Sequence, residues 1–75
     1  MTDRLSLRGS MSLEGKVRKQ LPRQLQEINI LVMQHPYWEQ LALVIFRANG
    51  RCVKFEVDPE IGLTDVQIAD LCVRL

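Results

Sequence analysis

The sequence predicts an α+β domain: an N-terminal helix, a central antiparallel β-hairpin, and a C-terminal helix packed on one face of the hairpin. Three observations carry this. Asn49-Gly50 stands between two apolar runs, LALVIFRA and RCVKFEV, and this is the strongest short-range hairpin signal. Upstream, Leu13, Val17, Leu21, Leu25, Ile28 and Val32 recur at intervals of three and four, the spacing of one helical face. Downstream, Thr64 precedes Gln67 by three residues, ahead of the apolar positions Ile68, Leu71, Cys72 and Leu75, which is a capping box followed by a helical stripe.

Taken in order, residues 1–11 read as a flexible polar tail and residues 12–75 as one small domain. Within the tail, Arg4-Leu5-Ser6-Leu7-Arg8 alternates once and allows an edge strand as a second reading, and Met11 is an alternative start. Ser12 is a fitting N-cap for the first helix. Gly15 weakens that helix, and Pro22 breaks it, because an interior proline removes a hydrogen bond and clashes with the preceding turn. Pro22 is suited to opening a second helical segment, from Pro22 to about Gln34. The run Ile28–Met33 also admits another reading. It is β-branched and apolar on all sides, so it could form a strand antiparallel to Leu41–Ala48, giving three strands in place of two. His35-Pro36 ends the element under either reading.

The two-residue turn fixes the hairpin register. Ala48, Phe46, Val44 and Ala42 should face Arg51, Val53, Phe55 and Val57 on one side, which is apolar and meets the helices. On the other side Arg47, Ile45, Leu43 and Leu41 should face Cys52, Lys54, Glu56 and Asp58. One strand is therefore apolar on both faces, while its partner alternates. Apolar on both faces is the pattern of a strand covered on both sides, so Leu41, Leu43 and Ile45 call for a cover. Trp38 shares the parity of Ala42 and Val44 and is expected to cap the core. Asp58-Pro59-Glu60-Ile61-Gly62 reads as a turn, and Asp65 in the first turn of the last helix favours its dipole.

Composition narrows the class. Of the 75 residues, 47% are hydrophobic and 25% charged, which fits a folded domain rather than a disordered chain. The net charge of +1 implies no obligatory polyanion partner. Residues 1–37 hold six basic against three acidic side chains, a net of +3, and residues 38–75 hold four against six, a net of −2. Two cysteines, Cys52 and Cys72, are too few for a disulfide framework. The N-terminus lacks the apolar core of a signal peptide, and no apolar run reaches membrane-spanning length. The expectation is a cytoplasmic protein with reduced thiols and no membrane association.

No constellation of residues supports catalysis. Cys52 lies beside the hairpin turn, whereas His35 lies about 40 Å of extended strand before Arg47, so a Cys–His nucleophile pair is not expected. Cys72 reads as a small thiol buried on its helix stripe. Three Cys and His residues without CxxC or HxxxH spacing do not make a zinc site. Glu56, Asp58 and Glu60 read as solvated charges at a strand end, and the four glycines form no phosphate loop. The sequence thus indicates no enzyme, no cofactor and no small-molecule substrate, and no motif is specific enough to name a family. It favours a small protein-interaction or regulatory module that associates through Leu41, Leu43 and Ile45, with a second copy (a homodimer) or with another protein. The alternative is a nucleic-acid-binding regulator using Lys16, Arg18, Lys19 and Arg23, of which Lys16, Lys19 and Arg23 share a helical face, near Gln20, Gln24 and Gln26. No aromatic residue is interleaved there, which weakens single-strand binding in particular.

Overall fold

A computed structural model describes residues 13–75. The tail expected over 1–11 lies outside the described residues. Helix α1 occupies residues 13–20. A single 3-10 turn follows at Arg23–Leu25, then strands β1 (Asn29–Gln34), β2 (Ala42–Ala48) and β3 (Arg51–Val57), and helix α2 (Asp65–Arg74). The three strands form one antiparallel sheet in the order β1-β2-β3. The α+β class is as the sequence predicts.

The helix expected from Pro22 to Gln34 is the main correction. Pro22 is extended, with φ −63° and ψ 159°, and only one tight turn follows it, closed by Leu25 N–H to the Pro22 carbonyl at 2.9 Å. The second reading of Ile28–Met33 holds, because a strand makes better use of those side chains. As a helix, the run would bury one stripe. As a strand paired with β2, it lays Ile30 into the core and sets Leu31 and Met33 beside Ile45 and Leu43 on the other face. The spacing of Leu25, Ile28 and Val32 imitates a helix, but cross-strand packing decides.

The hairpin matches its prediction in turn and register. Asn49 and Gly50 have φ of 54° and 76°, both left-handed, as a type I′ turn demands. Ala48 pairs with Arg51, Phe46 with Val53, Val44 with Phe55 and Ala42 with Val57. On that inner face Val44 and Phe46 are fully buried, along with Val17 of α1 and Leu71 of α2. Both helices therefore lie on the same side of the sheet. The Phe46 and Phe55 rings meet edge to face, with centroids 5.9 Å apart.

Helix α2 starts where its capping box places it. Gln67 N–H donates to Thr64 Oγ1, and Thr64 N–H donates to Gln67 Oε1, both at 3.1 Å. The helix buries Leu71 and half-buries Ile68 and Leu75, but Cys72 is exposed, which corrects the expectation of a buried thiol. The inward stripe runs through positions 68, 71 and 75, and Cys72 is turned about 100° beyond Leu71. The turn Asp58–Gly62 forms as expected. The Asp58 carbonyl accepts from Ile61 and Gly62 N–H, and its carboxylate accepts from Glu60 N–H at 2.9 Å.

Candidate functional site

Among the described residues, neither helix covers the second face of the sheet. Leu31 and Met33 of β1 lie on it, 48% and 40% exposed, in register with Ile45 and Leu43 of β2. The predicted row Leu41, Leu43 and Ile45 is half-buried. The third strand does not roof this row. It flanks the row and adds two more apolar side chains to the same surface. On the β3 side, Lys54 lies beside Ile45 and Glu56 beside Leu43, so the apolar centre has a charged margin. Apolar side chains are thus bordered on the β3 side by one basic and one acidic side chain. Leu31 and Met33 join this surface only under the strand reading of Ile28–Met33, and the sequence alone does not single them out.

One end of the face is organised by His35, which lies just past the end of β1 and is buried at 7% exposure. Its Nδ1 accepts from the backbone N–H of Tyr37 and of Trp38, each at 3.1 Å. Its Nε2 lies 2.8 Å from Glu56 Oε2. Two donors aimed at Nδ1 require a lone pair there, so the proton sits on Nε2 and is donated to the carboxylate. A histidine–carboxylate pair can be half of a catalytic dyad. In this ring both nitrogens are already occupied, and neither is left to take a proton from a substrate. The pair holds the β1–β2 connection in shape. His35→Ala is expected to lower stability by about 1–2 kcal/mol, since water can reach the two freed N–H groups; urea unfolding followed by circular dichroism measures this.

That connection presents Tyr37 at 86% and Trp38 at 55% exposure. Trp38 does not cap the core, because the strand alternation that predicted it inside is interrupted between β1 and β2. Exposed aromatic side chains of this size are enriched at protein interfaces.

The basic residues singled out by sequence divide into two pairs. Lys16 Nζ donates to the Glu60 carbonyl at 2.7 Å. Arg18 Nη1 donates to the carbonyls of Gln26 and, at 3.0 Å, Ile28, and Arg18 also meets Glu14 at 3.6 Å. Both tie α1 to neighbouring turns. Lys19 and Arg23 are exposed and have no bonded partner among the described residues. The three carboxylates also diverge. Glu56 joins His35, Asp58 caps its own turn, and Glu60 contributes its carbonyl to Lys16. Among the described residues no group of three or more His, Cys, Asp or Glu could hold a metal ion, and no helix is long and apolar enough to cross a membrane. Both cysteines are exposed free thiols. Helix α2 carries the exposed Val66 and Val73, each set among the charges of Asp65, Asp70 and Arg74.

No protein-family model, curated protein or solved structure matches the chain.

Proposed function

We propose that the chain is a non-enzymatic protein-interaction module, regulatory in role, that works by associating through the uncovered sheet face. One observation carries the reading: four large apolar side chains, Leu31, Met33, Leu43 and Ile45, stand together on two adjacent strands, and among the described residues no helix lies above them. A contiguous apolar patch with a charged margin is the surface type that proteins use for partners. The partner it fits is a protein surface that is apolar at its centre and carries charges at its rim to meet Lys54 and Glu56.

The test compares capture from a native extract by the immobilised wild-type chain, by Leu43→Lys, and by Val73→Lys on α2 as a surface control. A lysine facing a desolvated apolar surface should weaken capture at least about tenfold, while Val73→Lys leaves it unchanged. Equal capture by all three would remove the reading. The nucleic-acid alternative is the lesser one, since Lys16 and Arg18 already serve backbone carbonyls and only Lys19 and Arg23 remain to meet phosphates.

A further inference from the structure

We propose that β1 is the self-association edge of this protein, pairing antiparallel with β1 of a second copy so that Val32 lies on the two-fold axis and a six-stranded sheet results. This surface is the rim of the sheet; it shares Leu31 and Met33 with the face on which the interaction reading stands but rests on main-chain pairing along the edge, so each can fail without the other.

The first step is to find which backbone groups point outward. His35 N–H donates to the Leu41 carbonyl. Bonded and non-bonded pairs alternate along an antiparallel ladder, so Met33, Leu31 and Asn29 also bond toward β2. The N–H and C=O groups of Ile30, Val32 and Gln34 therefore point away from the sheet. None of them has a hydrogen-bond partner among the described residues.

The two edges of the sheet are treated differently. The β3 edge carries Arg51, Lys54 and Glu56, and α2 closes part of it. Gln67 Nε2 donates to the Glu56 carbonyl at 3.1 Å, and Arg51 Nη1 donates to the Arg74 carbonyl at 3.2 Å. Strand β1 reads NILVMQ. It has no charge and no proline, the devices by which proteins keep an open edge from pairing.

The same strand is complementary to itself. With Val32 opposite its own copy, Ile30 faces Gln34 of the second chain and Val32 faces Val32, three bonded pairs and about six main-chain hydrogen bonds. Leu31 then faces Met33 in both directions across the axis, which brings four apolar side chains together, and Asn29 faces His35 at each end. No like charges oppose each other. The ladder also has natural limits. The next pair would be Ile28 with Pro36; proline has no N–H to give, and the Ile28 carbonyl already accepts from Arg18. This is an isologous contact that closes on two copies.

The test uses the full chain, with Cys52→Ser and Cys72→Ser to remove both native thiols. Light scattering after size exclusion should give the mass of two chains. Oxidising a mixture of Leu31→Cys and Met33→Cys chains should give the mixed 31–33 disulfide in several-fold excess over either like pair, because only these positions lie directly opposite. Val32→Pro, which removes the central outward N–H, should halve the mass; a proline is tolerated at an edge position of this kind. If that variant does not fold, the cross-linking pattern decides alone. A monomer up to millimolar chain overturns the proposal. So does a dimer that keeps its mass in folded Val32→Pro, or one that forms like-pair disulfides as readily as mixed ones. A monomer whose Ile30, Val32 and Gln34 amides resist hydrogen exchange would assign the edge to this chain's own residues and overturns it equally.

Discussion

Phe46→Ala is expected to lower folding stability by about 3–5 kcal/mol, the largest effect of any single truncation in this chain. Phe46 has no solvent exposure. It occupies the middle strand, opposite Ile30 on one side and Val53 on the other, and its ring meets Phe55 edge to face. Removing it leaves a cavity bounded by both neighbouring strands, which the pleated backbone cannot close. Small domains sit near the lower end of the usual range of about 5–15 kcal/mol, so the variant should be partly unfolded at room temperature. Urea titration followed by circular dichroism measures the loss. Phe46→Leu, which keeps most of the volume, should cost far less. A loss below about 1 kcal/mol for Phe46→Ala would mean that the inner face is not the packed core.

Gly62→Ala is expected to cost about 2–4 kcal/mol, from two separable causes. Gly62 has φ +82°, a left-handed conformation that strains a residue with a Cβ, and an added Cβ would lie 2.5 Å from Gln20 Oε1. That amide is not free to move away without loss. Its Oε1 accepts from Leu63 N–H at 2.8 Å, and its Nε2 donates to the Leu63 carbonyl at 3.0 Å. The clamp docks α1 on the turn before α2, and Leu63 is buried. A double-mutant cycle separates the causes: in a Gln20→Ala background the cost of Gly62→Ala should fall to the backbone strain alone, about 1–2 kcal/mol. Strict additivity would mean that the side chain of Gln20 does not sense position 62.

The parts of the fold that could be read from sequence depend on neighbours in the chain. Asn49-Gly50 sets the turn and hence the whole β2–β3 register. Thr64 and Gln67 set the start of α2. Both signals act within four residues. Strand β1 was ambiguous because its identity rests on β2, which begins eight residues after β1 ends. An apolar run with no polar alternation carries no period of its own. The site was legible to the same extent. Leu41, Leu43 and Ile45 stand out because their cross-strand partners are polar. Leu31 and Met33 join them only once β1 is a strand. The burial of His35 could not be anticipated, since the carboxylate that accommodates it is 21 residues away.

The ring of His35 has a thermodynamic consequence beyond stability. A hairpin connection that displays two aromatic side chains would ordinarily be a loose one, and any partner gripping it would have to freeze the backbone first. Here the imidazole holds the Tyr37 and Trp38 amides before any partner arrives. Much of the ordering entropy, about 1–2 kcal/mol per residue fixed, has already been spent in folding. Under the proposed interaction reading, a partner at this end of the sheet would meet a backbone already set, and the favourable contacts made there would go to affinity rather than to shaping the loop.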